Sequence, residues 1–258
     1  MLTTAKLKVL SQLKKYLPVV KIMRIIASFF REISAKIHKF QYKIEWSIDN
    51  PEHFDHFIDM NFQWKRTRHA FPMERGVFSS YALPGIHGSI KGNTLDLCCG
   101  DGFYSYYFYS LHSAKVVGID FDPLAIWSAK KFNSAENTEY VIGDIRNNIP
   151  DGPFDNIVWD AAIEHFTPSE IDGIMQNICR KLTPNGILSG YTIKEPESGK
   201  HLHQHEYEFH NKEDLASFLK PYFSKVQILE TQYKQRTNYY FFASNSELPF
   251  DANQIFHN

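Results

Sequence analysis

The sequence is poor in cysteine. Its 258 residues include three, Cys98, Cys99 and Cys179. Two of these are adjacent, and three thiols cannot build the paired framework that stabilises small secreted domains. The Cys and His spacing of zinc-binding modules is also missing. The pattern is typical of a reducing compartment, and we expect a cytoplasmic protein.

Long apolar runs are missing as well. The stretch PVVKIMRIIASFF (residues 18–30) is too short and too charged to span a bilayer. It lacks the apolar core and cleavage site of a secretory signal, and the two arginines of residues 1–43 are few for a mitochondrial transit peptide. Apolar residues nevertheless make up 43% of the chain and aromatic residues 15%, which is ample for a buried core and excludes a disordered chain.

Charge is distributed unevenly along the chain. Residues 1–43 contain ten Lys or Arg and a single acid, Glu32, for a net charge of +9, whereas the other 215 residues carry −10. Apolar residues recur in this arm at helical spacing on either side of Pro18. Such a helix either lies on an anionic lipid surface or packs on the protein as a lid, and Phe29 and Phe30 are suited to both. The acidic remainder argues against nucleic acid as a partner.

Beyond residue 90, strand and helix patterns alternate. Seven segments are predicted strands: TLDLCC, AKVVGID, EYVIGD, FDNIVWD, GILSGYTI, KVQILETQY and TNYYFFASN. Helical patterns separate the first five, which predicts an α/β fold with a doubly wound, mainly parallel seven-stranded sheet. The last two strands predict an antiparallel hairpin at one edge. We therefore expect a helical arm (residues 1–45), a helical cap (46–90), the α/β domain (91–248) and a tail (249–258).

A glycine turn follows the first predicted strand, in LDLCCGDG (residues 95–102). Gly100 and Gly102 allow a ligand to approach the backbone closely at the carboxyl edge of the sheet, where such folds bind ligands. Asp120 ends the second predicted strand, where a carboxylate accepts both hydroxyls of a ribose. The two features together predict a nucleoside site.

The turn fits a dinucleotide poorly. After Gly102 the sequence continues with Phe103 and Tyr104, so the third glycine of the dinucleotide fingerprint is missing. Asp96, inside the strand, would repel a diphosphate but attract an ammonium group. A sulfonium cation with an amino-acid tail matches this charge better than NAD or NADP, although a nicotinamide oxidoreductase and a non-catalytic binding module stay open as alternatives.

Several motifs, in order, resemble those of class I S-adenosylmethionine-dependent methyltransferases over about residues 70–245. LDLCCGDG resembles the first motif, with Cys98 in place of a glycine, and VVGIDFDPLAIWSAK and YVIGDI resemble the next two. The resemblance implies a Rossmann-like methyltransferase fold and S-adenosyl-L-methionine as cofactor. It implies cofactor contacts from Asp96, Cys98, Gly100, Gly102, Asp120, Phe121, Asp144, Ile145 and Asp160. For two of these residues the alternative is a purely structural role. Asp96 would then cap a helix, and Asp144 would form the turn before Arg146.

The acceptor side is predicted to be rich in histidine. Glu164 and His165 follow the fourth strand, and His165 is the first candidate for a general base. The segment HLHQHEYEFH (residues 201–210) follows the fifth strand. If it is extended, His201, His203 and His205 share one face, and Glu206, Glu208 and His210 share the other.

Both elements resemble those of small-RNA terminal-ribose methyltransferases, which carry a metal site there. Here Glu164, His165 and His205 match, but Ala161 replaces a glutamate. We therefore predict no metal and interpret the histidines of residues 201–210 as solvated loop residues. His165, His205 and Glu164 are the catalytic candidates, and a structural histidine that holds the loop is the alternative for His165.

The resulting hypothesis is a methyltransferase acting on an oxygen of a small molecule, sugar or lipid-linked glycan. An enzyme similar to the RNA terminal-ribose methyltransferases is the alternative. The basic arm adds peripheral membrane association as a further expectation.

Overall fold

The computed structural model describes most of the chain beyond residue 90. The described residues are 18, 19, 21–23, 25–27, 29, 30, 33, 37, 82, 83, 91–196, 199, 205–232 and 237–249. The predicted cap, apart from residues 82 and 83, lies outside them, as do His201 and His203. The chain divides into two units, residues 1–55 and 56–258.

In the first unit, the described residues between 18 and 37 are helical, as the spacing of apolar residues predicts. Their apolar side chains are exposed, from Ile33 at 39% to Ile25 at 69%. No helix among the residues that the structure describes is long and apolar enough to cross a membrane.

The second unit contains a seven-stranded sheet in the order β3-β2-β1-β4-β5-β7-β6. The strands are β1 (Asn93–Leu97), β2 (Lys115–Asp120), β3 (Thr138–Ile142), β4 (Phe154–Asp160), β5 (Leu182–Ile193), β6 (Lys225–Gln232) and β7 (Thr237–Ser244). The first five pair in parallel, and β7 pairs antiparallel with both β5 and β6. The predicted fold class is confirmed.

Helices cover the sheet. They are α1 (Ser110–His112), α2 (Pro123–Phe132), α3 (Pro168–Lys181) and α4 (Lys212–Leu219), and a π-helical turn, Ser105–Tyr109, precedes α1. Asp122 caps α2 by accepting a hydrogen bond from the Leu124 amide, with Pro123 in the first turn. A capping box of Thr167 and Glu170 begins α3.

The core lies on both faces of the sheet because successive strand residues point to opposite sides. Leu97 of β1 and Trp159 of β4 pack with the apolar face of α3 on one side. Val158 of β4 packs on the other, in a cluster that includes Phe103 and Leu83. Leu83 and Ala82 are fully buried, so this part of the predicted cap segment belongs to the core.

Candidate functional site

The site lies where the strand order reverses. From β1 the chain proceeds through β2 to β3 on one side and then returns to place β4 on the other side of β1. The carboxyl ends of these parallel strands meet at one edge, and open α/β sheets bind ligands at such a reversal. The glycine turn after β1, the end of β2 and the turn after β4 all lie at this edge.

The turn after β1 has a left-handed backbone at three positions. Cys98 has φ 55°, Gly100 φ 55° and Gly102 φ 72°. A Cβ at Gly102 would lie 2.6 Å from the Tyr140 hydroxyl, so conformation and space both require glycine. Cys98 adopts the same conformation at a cost of about 1–2 kcal/mol. Cys98, which replaces a glycine of the motif that LDLCCGDG resembles, thus has a glycine-like backbone conformation.

Asp120 links the end of β2 to this turn. Its Oδ2 accepts a hydrogen bond from the Gly100 amide at 2.9 Å, and its Oδ1 accepts one from the Asp122 amide at 2.9 Å. The side chain is buried. These two backbone amides fix the orientation of the carboxylate at the turn.

Asp96 is buried in the middle of the same edge. It accepts a hydrogen bond from the hydroxyl of Ser105, a residue of the π-helical turn. Burial, together with the Asp96 and Asp120 carboxylates, raises the pKa of the Cys98 and Cys99 thiols. Both thiols therefore stay protonated, as expected for packing residues rather than nucleophiles.

The third predicted motif lies in the turn after β3. The Asp144 carboxylate accepts hydrogen bonds from the Arg146 amide and guanidinium, at 2.7 Å for Nη2, and this contact lowers its pKa. This arrangement is the turn-forming alternative considered for Asp144. Ile145 is buried, whereas Phe121 at the end of β2 is 60% exposed.

Asp160 ends β4 on the acceptor side. Its Oδ2 accepts a hydrogen bond from the Tyr109 hydroxyl at 2.8 Å, which ties β4 to the π-helical turn. The next residue, Ala161, has a left-handed backbone with φ 48°. This bend redirects the chain into the 3₁₀ turn Ile163–His165.

Glu164, His165 and His205 converge beyond that bend. Each offers one ligand atom, and the three atoms lie within 4.8 Å of one another. The two imidazole rings meet edge to face, with centroids 4.9 Å apart. Glu164 is buried, and its Oε2 accepts a hydrogen bond from the Thr192 hydroxyl at 3.0 Å. The three catalytic candidates are thus brought together, although His205 is forty residues away in sequence.

His205 differs from its prediction in two ways. It is 3% exposed, so its interpretation as a solvated loop residue is wrong. Its Nδ1 contacts Glu208 Oε1, although an extended segment would place these residues on opposite faces. Residues 205–210 form an irregular loop rather than a strand, which brings positions three apart together. Burial lowers the pKa of His205, although Glu164 opposes the shift.

Sequence reasoning did not identify Thr192 and Glu208 as members of this site. Thr192 is the penultimate residue of β5 and is buried, so nothing local distinguishes it from a core residue. Glu208 belongs to HEYEF, which the sequence marks as unusual, but its partner depends on the path of the loop.

A family model described as a methyltransferase domain matches residues 94–186. An uncharacterized methyltransferase of Synechocystis is 34% identical over 123 residues, covering 47% of this chain and 56% of that protein. The ribosomal protein L11 methyltransferase of Ralstonia pickettii is 29% identical over 106 residues, covering 40% of this chain and 34% of that protein. The chain thus spans between a third and somewhat more than half of these relatives.

Solved structures share the fold. The N-methyltransferase NodS of Bradyrhizobium japonicum, in complex with S-adenosyl-L-homocysteine, aligns with a TM-score of 0.58 at 17% identity, over 71% of this chain and 92% of that one. Human N-acetylserotonin methyltransferase, in complex with S-adenosylmethionine, aligns with a TM-score of 0.55 at 14% identity. The alignment covers 76% of this chain and 56% of that one. At this level of sequence identity, the similarity to these structures shows a shared fold and nothing further. The matching domain model covers residues 94–186, and this part of the chain is similar to a methyltransferase domain.

Proposed function

We propose that the protein is an S-adenosylmethionine-dependent methyltransferase acting on a hydroxyl group of a small molecule, sugar or lipid-linked glycan. The observation that carries the proposal is the bond from the Gly100 amide to Asp120 at the strand-order reversal. It presents an oriented carboxylate beside a turn with a left-handed backbone. An oxidoreductase would need to place a diphosphate between that turn and buried Asp96.

The residues present fit the cofactor. Asp120 would hold the ribose hydroxyls, and buried Asp96 supplies the negative charge that suits a cationic amino-acid tail. Phe121 and Ile145 would contact the adenine. S-adenosylmethionine supplies a methyl group already activated on sulfur, so the protein has to align an acceptor and accept its proton. Alignment alone contributes about 7–11 kcal/mol in favourable cases.

The acceptor side offers a base. A ring nitrogen of His165 would accept the proton of the acceptor hydroxyl. Nε2 of His205 is the second candidate, because Nδ1 of that residue contacts Glu208. A positioned base contributes about 10²–10⁴-fold. The paired histidines favour an oxygen acceptor, since a neutral amine needs less help in losing a proton.

A thermal-shift comparison tests the cofactor assignment. S-adenosylhomocysteine at a hundred times its Kd should stabilise the full chain by about 2.7 kcal/mol and raise its Tm by about 5–10 °C. NAD and NADP should leave Tm unchanged. A shift with NAD alone would assign the protein to the oxidoreductases.

The acceptor is identified with methyl-labelled S-adenosylmethionine and a panel of candidates. Sugars, phenols, lipid-linked glycans and short RNAs form separate arms. Transfer to RNA ends would select the alternative function, and binding without transfer in any arm would favour a non-catalytic module.

We infer in addition that residues 1–43 hold the protein at an anionic membrane surface. The segment carries a net charge of +9, and each Lys or Arg near anionic lipid contributes about 1 kcal/mol. The described apolar side chains of this helix are exposed, namely Val19, Ile22, Met23, Ile25, Ile26, Phe29, Phe30, Ile33 and Ile37. Basic charge and exposed apolar side chains together fit a lipid interface better than water.

Sedimentation with vesicles tests this role. The full chain should sediment with phosphatidylserine-containing vesicles and not with phosphatidylcholine alone, and salt should weaken binding. Replacing Phe29 and Phe30 by serine should reduce binding, whereas Phe132→Ser, at a similarly exposed aromatic in α2, should not. Absence of binding by the unaltered chain would leave the packed-lid alternative.

A further inference from the structure

Two hydroxyl groups of one π-helical turn bind two carboxylates at the edge of the sheet. The Ser105 hydroxyl donates to Oδ2 of Asp96 in β1. The Tyr109 hydroxyl donates to Oδ2 of Asp160 in β4 at 2.8 Å. Ser105 and Tyr109 are the first and last residues of the turn, and all four residues are buried. A single turn therefore orients one carboxylate on each of two neighbouring strands.

The two carboxylates belong to the same face of the sheet. Asp96 is the register partner of Val158, and Asp160 follows Val158 by two residues, so these side chains point to the same side. Asp160 lies about 7 Å further along the strand direction, at the carboxyl edge. Val158 packs with Phe103, which precedes the π-helical turn. The segment that covers this face thus also carries the two hydroxyl groups.

The turn orients these carboxylates with neutral donors. Its backbone is wider than that of an α-helix, because the Ser110 amide donates to the Ser105 carbonyl five residues back. A hydroxyl brings no charge, so each of the two bonds orients a carboxylate without neutralising it. The turn after β3 differs in this respect, since the Asp144 carboxylate is bound there by the guanidinium of Arg146. Turns of the π type are frequent at functional sites.

The two carboxylates lie at different places relative to the proposed methyl transfer. Asp96 is inside β1, just before the glycine turn, where the amino-acid tail of the cofactor is proposed to bind. Asp160 is the last residue of β4, and the chain bends at Ala161 into the turn with Glu164 and His165. A methyl group that passes to this turn has to leave a sulfur atom located between the two sides. Of the two carboxylates, Asp160 is therefore the one placed for the positively charged sulfur.

We propose that Ser105 and Tyr109 are positioning residues, and that Asp160, held by Tyr109, binds the positive charge on the cofactor sulfur. Asp160 then distinguishes S-adenosylmethionine, whose sulfur is cationic, from S-adenosylhomocysteine, whose sulfur is neutral. Asp96, held by Ser105, acts on the ammonium group that the two molecules share. The inference rests on the proposed function, because it concerns the same cofactor site. Loss of the positive charge in the product also favours its release.

Calorimetric Kd values of both molecules, measured on the full chain, test the role of Tyr109. Tyr109→Phe removes one hydroxyl and keeps the ring, and it should weaken S-adenosylmethionine binding about 3–10-fold. Asp160→Asn should weaken that binding at least about tenfold, because a charge is lost. In both variants S-adenosylhomocysteine affinity should stay within about twofold. A purely structural role of either residue would weaken the binding of both molecules alike.

Ser105→Ala should give a different pattern. Both molecules carry the ammonium group, so the binding of both should weaken by a similar factor, about 3–10-fold. Ser110→Ala is the matched control, because the Ser110 hydroxyl donates to the Tyr106 carbonyl within the helical segment. That variant should keep both Kd values. Equal effects of Ser105→Ala and Tyr109→Phe on the ratio of the two Kd values would overturn the proposal.

Tyr222→Phe is the matched control for the tyrosine. Its hydroxyl also donates to a carboxylate, that of Asp172, at an exposed position of α3, and both Kd values should stay unchanged. If neither molecule binds to the unaltered chain, the proposed function is refuted and this inference with it. If both bind, and the Tyr109 and Asp160 variants leave the ratio of their Kd values unchanged, the inference alone is refuted.

Discussion

The two sides of the sheet edge are built in different ways. The proposed cofactor side is formed by one βαβ unit, in which the turn after β1 and Asp120 at the end of β2 lie within about 25 residues. The proposed acceptor side joins Glu164 and His165 to a histidine forty positions later. The first is therefore visible as a local motif, whereas the second depends on the path of a loop.

The bonds that hold each side differ accordingly. On the cofactor side a backbone amide, that of Gly100, orients the functional carboxylate. On the acceptor side other side chains, Thr192 and Glu208, orient the functional groups. A turn conformation sets the first geometry, and tertiary packing sets the second. We therefore expect substitutions on the first side to change cofactor affinity and substitutions on the second side to change turnover.

The largest effect is expected for Asp120→Ala. This substitution removes the carboxylate that would accept hydrogen bonds from the two ribose hydroxyls. Each such bond to a charged group contributes about 1.5–3 kcal/mol, so S-adenosylhomocysteine binding measured by calorimetry should weaken at least about 100-fold. Asp151→Ala, at an exposed acid, should leave affinity unchanged. An unchanged affinity of the Asp120 variant would refute the cofactor site.

Separate alanine substitutions of His165 and His205 should affect turnover alone. With an acceptor from the panel, we expect kcat to fall by about 10²–10⁴-fold for the residue that acts as base, while S-adenosylhomocysteine affinity stays within about twofold. A loss of cofactor affinity comparable to that of Asp120→Ala would show that the two sides are not separable. Normal turnover in both variants would refute the base.

Gly102→Ala tests the turn itself. A left-handed backbone together with the clash against Tyr140 should cost about 2–4 kcal/mol in the free energy of unfolding, measured with denaturant. Gly173→Ala is the control, because its Cβ meets nothing within 4 Å and the residue lies inside α3. That substitution should instead stabilise the protein by about 0.5–1 kcal/mol. Equal effects at both glycines would contradict the described turn.

Thr167→Ala should have the smallest effect. Loss of the capping box that begins α3, directly after the turn with Glu164 and His165, should cost about 1 kcal/mol of stability. Gln176→Ala, later in the same helix, loses an exposed hydrogen bond to Asp172 and should cost about 0.3 kcal/mol. Thermal unfolding of both variants compares them, and a cost at Thr167 no larger than at Gln176 would argue against the cap.

A comparison of individual elements shows how much of the secondary structure could be predicted from the sequence. All seven strands were predicted, because period-two and short apolar runs are local signals, although β5 begins at Leu182 rather than Gly186. The segment after the glycine turn was predicted as a helix and contains a π-helical turn at Ser105–Tyr109. Its run of aromatic residues obscures the period that would distinguish the two.

The sequence by itself determined the succession of strands and helices along the chain, the glycine turn and the position of Asp120 at the end of a strand. Each of these features depends on residues close together in the chain. Tertiary structure alone decided that His205 is buried, that Glu208 orients it and that Thr192 holds Glu164. Those contacts join β5 and the loop after it to the turn beyond β4, and a local pattern carries no information on distances between separate segments.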